Sequence, residues 1–209
     1  TFAKIIQVIE ADGQMALDAI GIELTRKKLR LLIGTGEVLA RKYDIVVTNP
    51  PYMGSSGMSA KLLDFVKKNY LDRKNNLFAV VIEKCGELLK SKGYQAMITQ
   101  HAWMFLPSYE KLRGKLLQRY IMNMAHFGAR AFDEISGEVV KTTAFVLSSH
   151  KTQSYIGTCF RLVGFGSQSE KEVEILNREQ LHQGTAGNFA KIPGSPFGLL
   201  GWKLFLKVL

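Results

Sequence analysis

Residues 43 to 52 read YDIVVTNPPY, a short apolar run (Ile45, Val46, Val47) that ends abruptly in Asn49-Pro50-Pro51-Tyr52. Consecutive apolar residues put hydrophobic groups on both faces of an extended chain, the pattern of a buried strand in a parallel sheet. Two prolines forbid its continuation, since neither has an N–H to donate and each fixes its own φ. Each also pushes the residue before it toward extended geometry. A polar amide, two carbonyls and an aromatic ring are therefore expected at the carboxyl end of a central strand, where ligands bind in open α/β sheets.

The chemistry such a set suits is narrow. Asn49 offers a side-chain carbonyl, and the Pro50 carbonyl is a second acceptor with no local N–H to pair with it. Two converging acceptors match a primary amine such as the exocyclic amino group of a nucleobase. That nitrogen is a poor nucleophile because its lone pair is delocalised into the ring. Accepting both its hydrogens favours a pyramidal, more reactive nitrogen, a form of preorganised electrostatic stabilisation. Tyr52 supplies a face on which a flipped base stacks. Asn49, Pro50, Pro51 and Tyr52 are thus the catalytic candidates; the plainer alternative is a tight turn with a packing tyrosine.

TNPPY after an apolar strand resembles the catalytic motif of amino-group methyltransferases that use S-adenosylmethionine, above all adenine-N6 DNA methyltransferases. NPPYMG, then ITQHAWMFLPSYEKLR from Ile98 and FGARAFDEISGEVVKTTAFVL from Phe127, resemble the large adenine methyltransferases of BREX-type phage defence. The resemblance runs from about residue 40 to 150. It implies methyl transfer from S-adenosyl-L-methionine to adenine N6 in double-stranded DNA, for self-marking in phage defence or restriction. It also implies a class I Rossmann-like sheet whose last strand is antiparallel. Protein-glutamine and some RNA methyltransferases share the tetrapeptide, so those acceptors stay open.

Composition is compatible. Lys plus Arg number 28 against 18 acidic residues, a net charge of +10, which favours association with polyphosphates. No block of like charges marks a disordered tail. No apolar run is long enough to span a bilayer and no signal peptide opens the chain, so the expectation is a cytoplasmic protein without a membrane segment. Cys85 and Cys159 read as buried free thiols, and the four histidines lack metal-ligand spacing.

Periodicity gives an α/β order. A helix packed on the sheet is expected over Leu24 to Ala40 and a strand over residues 2 to 10. Ser59 caps a helix to about Asn69, and a second helix follows Asn76 with Gly93 placed to end it. Strands are expected at Tyr94–Thr99, Ile121–Phe127, Val139–Ser149 and Ser154–Val163, the last two joined by a turn at 151–153. Pro107-Ser108 opens a helix between the first two of these. This is the catalytic-strand half of a methyltransferase sheet, a partial domain over 1–163 with a loop-rich extension over 164–209 leading toward a target-recognition region.

One departure from the family matters. A cofactor site needs a glycine-rich turn after the first strand and an acidic residue about twenty positions on, and no segment supplies this. Gly34-Thr35-Gly36 is a decoy, because 12 residues between Gly36 and Asn49 are too few for the crossovers required. The cofactor-binding residues stay unassigned, and Thr1 suggests a chain that starts inside a longer protein. The alternative function is accordingly a non-catalytic nucleic-acid-binding or assembly module retaining the fold. A half-sheet exposes a strand edge, so a homodimer or another chain covering that edge is expected.

Further site candidates lie after the other strands. Phe132 is the candidate second wall of a base pocket, in a loop that also carries Arg130. His101 and Trp103 follow the next strand, His101 as a substrate-binding candidate. Lys141, Arg130 and Arg113 are candidate phosphate contacts.

Overall fold

The computed structural model describes residues 4, 19–70, 76–132, 140–150 and 155–198. Contacts divide the chain between Lys42 and Tyr43 into two units. In the first unit the helix α1 (Ala19–Ala40) carries the expected helix and encloses Gly34 and Gly36. The Gly-Thr-Gly sequence is therefore helical backbone, with Thr35 Oγ1 donating to the Leu31 carbonyl at 2.8 Å. The strand expected at residues 2 to 10 lies outside the described residues apart from Lys4, which is helical.

The second unit is a mixed α/β fold around a six-stranded sheet. Its strands are β1 (Tyr43–Thr48), β2 (Leu89–Gln100), β3 (Tyr120–Gly128), β4 (Thr142–Ser148), β5 (Gly157–Arg161) and β6 (Leu181–Gly184). Their spatial order is β1-β2-β4-β3-β5-β6. β1 and β2 pair in parallel, β4 is antiparallel to both β2 and β3, and β5 is parallel to β3. Four strands (β1, β2, β3, β5) thus run in one direction and end at one edge, with β4 reversed between them.

Helices α2 (Ala60–Asn69), α3 (Leu77–Glu87) and α4 (Glu110–Leu116) fill the connections. The caps are those legible in the sequence. Ser59 Oγ accepts the Leu62 amide at 3.4 Å and Asn76 Oδ1 accepts that of Phe78 at 3.4 Å, each satisfying an orphan N–H of a first turn. α3 buries Phe78, Ala79, Ile82 and Cys85 in a core that also takes Met97, Trp103, Met124, Phe145 and Leu147.

Four expectations need correction. β1 is an edge strand among the described residues, not a central buried one: Ile45 and Val47 are 63% and 70% exposed. Apolar residues on both faces encode a need for cover that these residues do not supply. Second, α3 stops at Glu87 with Leu88 as its cap, and Gly93 lies inside β2. A Cβ there would sit 2.9 Å from the Asp44 carbonyl oxygen, so the glycine permits close approach of β1 at the register shift rather than ending a helix. Third, β5 is no hairpin partner of β4; it crosses to pair with β3. Finally, the segment after residue 163 belongs to the same unit. α5 (Gln168–Asn177) lies between β5 and β6, β6 extends the sheet, α6 (Ala186–Ala190) follows it, and Phe189 and Phe197 enter the main core.

Candidate active site

β1 delivers Asn49, Pro50, Pro51 and Tyr52 to the carboxyl edge of the sheet, with Asn49 exposed, Pro50 buried and Tyr52 half-buried. Asn49 and Val47 border a concavity of about 490 Å³ that runs over one sheet face past Ile98, Ala144 and Phe160. The prolines end the strand, but what fixes the segment beyond them is a strap. The Met53 carbonyl accepts the Leu77 amide at 2.8 Å, and Gly54 bridges Asn76. The motif is thereby pinned to the start of α3.

Tyr52 leans edge-on against Phe78, ring centroids 6.3 Å apart at 82°, and Phe78 in turn meets Tyr109 at 5.9 Å. Its hydroxyl is buried without a hydrogen-bond partner among the described residues, and burial pushes the phenol pKa up. The ring is held by the core rather than by a polar anchor.

His101 follows β2 on the same edge, but its ring contacts are with His126 and Phe105, not with Tyr52. His101 Nδ1 and His126 Nε2 lie 2.8 Å apart, so one donates and the other accepts. Burial, aided by Lys141, lowers the His101 pKa. Burial first, then His101, Arg161 and Lys141, push His126 down to about 4. Both rings are neutral near pH 7. Phe132 is 37% exposed beyond the end of β3, and no ring contact joins it to Tyr52 among the described residues.

Two candidates are structural. Trp103 is fully buried, donating to Thr99 Oγ1 at 2.9 Å and packing between Phe145 and Phe197. Arg113 is only 1% exposed. It donates to the Gly194 carbonyl at 2.9 and 2.7 Å and to those of Trp103 and Leu106 at 2.9 and 2.7 Å. It ties the C-terminal segment to the sheet and is no phosphate contact. Sequence reasoning missed His126, Arg161 and the Met53 strap; the strap alone had a signal, the asparagine cap next to it.

The described residues do not form a cradle for S-adenosylmethionine. The glycine pair that resembles a phosphate turn is inside α1, and β1 leads into Asn-Pro-Pro instead of a glycine turn and helix. Among the described residues no helix is long and apolar enough to cross a membrane.

Comparison with known proteins is consistent with this. The sequence pattern of the Eco57I restriction-modification methylase family matches residues 11–132. The chain is 45% identical over 212 residues to the adenine-specific methyltransferase PglX of Lacticaseibacillus casei (strain Zhang), covering 99% of this chain and 18% of that protein. It is 47% identical over 161 residues to the adenine-specific methyltransferase BrxX of Escherichia coli O9:H4 (strain HS), covering 76% and 13%. It therefore spans less than a fifth of the length of these relatives. Among solved structures, a modification subunit of a putative type I restriction enzyme from Vibrio vulnificus YJ016 superposes with a TM-score of 0.54 at 14% identity, over 71% of this chain and 34% of that one. A chain from a type I restriction-modification assembly gives 0.56 at 15% identity, over 78% and 38%. At such identities these two likenesses establish the fold.

Proposed function

The chain belongs to the Eco57I restriction-modification methylase family, and on that premise we propose that the protein methylates the exocyclic N6 of adenine in double-stranded DNA, with S-adenosylmethionine as donor, in restriction or phage defence. The observation that carries this reading is Asn49-Pro50-Pro51-Tyr52 at the carboxyl end of a strand paired in parallel with β2. Asn49 Oδ1 and the Pro50 carbonyl accept the two N6 hydrogens and localise the lone pair on nitrogen. Tyr52 receives one face of an adenine extruded from the duplex, at a cost of a few kcal/mol in unstacking. Phe132 covers the other face. His101 borders the substrate as a neutral imidazole; no base is needed there, since the methylated nitrogen loses its proton to water.

The missing cradle supports a second reading, a nucleic-acid-binding or assembly module that keeps the fold without chemistry. The outer edge of β1, which pairs with no strand among the described residues, supports the partner expectation, a second copy or another chain pairing there.

A radiolabelled methyl-transfer assay on duplex DNA separates the readings. It compares this chain, a longer version extended upstream, and the Asn49→Ala form of each. The expected result is incorporation by the extended chain that falls by about 10²- to 10³-fold in Asn49→Ala, the usual cost of removing one preorganised polar group. DNA binding with no incorporation in any form favours the non-catalytic module, and incorporation into RNA or protein alone moves the acceptor.

A further inference from the structure

The buried and half-buried cations of the second unit are answered, with one exception. Arg113 donates to three backbone carbonyls. Arg119 donates to Gln95 Oε1 at 3.0 Å, and Lys171 to the Phe165 carbonyl. Arg161, half-buried at the carboxyl end of β5, makes no side-chain hydrogen bond or ion pair among the described residues. A guanidinium partly removed from water without an acceptor is an unfavourable arrangement unless a ligand completes it.

Its surroundings define the ligand. The register of β3 with β5 sets His126 opposite Arg161, and that of β5 with β6 sets Cys159 opposite His182. These side chains line a cavity of about 190 Å³ that Phe105 and Phe197 wall. His101 stands behind His126 at 2.8 Å. The Lys141 carbonyl accepts the His101 amide at 2.9 Å, which brings a second cation to the same edge. Among the described residues the charged groups bearing on this imidazole pair are Arg161 and Lys141, both positive. A fork of N–H donors, imidazole edges and no opposing carboxylate in a largely apolar hollow suit a tetrahedral oxyanion. Arg161 and His126 lie toward the edge where β1 presents Asn49, because β1, β2, β3 and β5 share one direction.

We propose that this cavity binds a phosphate group of nucleic acid, with Arg161 as the principal ligand and the His101–His126 pair beside it. The choice of nucleic acid as the phosphate's source rests on the reading of DNA as substrate. A phosphate held here sets the register of the strand on the sheet edge, a positioning contact that carries no base information.

Two measurements on the whole chain test it. In the first, pyrophosphate is titrated at constant ionic strength into protein labelled in the histidine rings, with acetate as the control anion. The ring resonances of His126 and His101 should move together and saturate with pyrophosphate and not with acetate. Arg161→Gln should weaken that response by about tenfold or more, the usual weight of a charged hydrogen bond. In the second, duplex DNA binding is followed against salt, and Arg161→Gln should flatten the slope of log K against log salt by about 0.9, one phosphate contact. Lys67→Gln, an exposed cation on α2 that does not line the cavity, separates loss of this site from loss of general charge, since it should leave the pyrophosphate response of the rings in place. Unmoved rings, or a slope unaltered by Arg161→Gln in a variant with unchanged thermal melting, overturn the site even if methyl transfer proceeds. A ring response to pyrophosphate without binding or methylation of DNA leaves the anion site standing and removes the DNA reading.

Discussion

At the scale of single residues, two side chains at the sheet edge carry unbalanced chemistry. The Tyr52 hydroxyl is buried with no partner among the described residues, an arrangement that carries a desolvation cost of roughly 1–3 kcal/mol. In the proposed site the ring, set against Phe78, is the part that receives the base. Tyr52→Phe should therefore keep methyl transfer in a competent longer chain within about threefold and raise or preserve the melting temperature. A large loss of activity would mean that the hydroxyl acts in the reaction. His126 is the second. Its pKa falls from 6.5 in the unfolded chain to about 4 in the fold. Between those values the unfolded state binds more protons, so stability rises with pH across the window. It is complete above about 6.5 and is lost as pH falls toward 4. The shift is worth about 3 kcal/mol. Denaturant melts from pH 4 to 7 should show that rise in the parent chain and a flatter profile in His126→Gln; equal slopes would contradict the assignment.

At the scale of elements, pairing geometry decides what a residue tolerates. Gly157 opens β5, and a Cβ there would lie 2.0 Å from the Ile121 carbonyl oxygen on β3. No rotation relieves a clash with backbone, so Gly157→Ala should force the strands apart at a cost of about 1–3 kcal/mol. Gly114→Ala is the contrast, because nothing lies within 4 Å of its Cβ position in an exposed part of α4; it should be neutral or stabilising. Urea melts of the two variants check both signs. The same elements show what the sequence could disclose. Caps at Ser59 and Asn76 and the apolar stripe of α3 are local signals, and the structure keeps them. The pairing of β5 with β3 was hidden because alternation in residues 155–162 reports faces, not neighbours. β6 and α6 were hidden because Leu181–Gly184 is short and polar and takes its place only through β5. Within the site, the proline motif announced itself, whereas Arg161 reaches His126 only through a parallel register between strands 35 positions apart at those residues.

At the scale of the molecule, the motif strand and its place in the sheet disagree in an informative way. A sequence apolar on both faces sits at an edge, with Ile45 and Val47 exposed and no strand on its outer side among the described residues. The sequence encodes a central strand, so among the described residues β1 presents both unpaired backbone groups and an apolar face. Edge strands of soluble proteins are ordinarily blunted by charge, proline or a bulge. Here Lys90 meets Asp44 at the start of β1, but Val46 to Thr48 carry no charge. The chain should therefore self-associate through β1 as concentration rises, while its net charge of +10 opposes the process at low salt. Light scattering over a tenfold range of concentration, at low and high salt, reads this directly. Val47→Lys should shift the population toward monomer by placing a solvated charge on the open strand without touching Val46, which packs against the core. A parent chain that stays monomeric at high salt would mean that the outer edge of β1 is already covered.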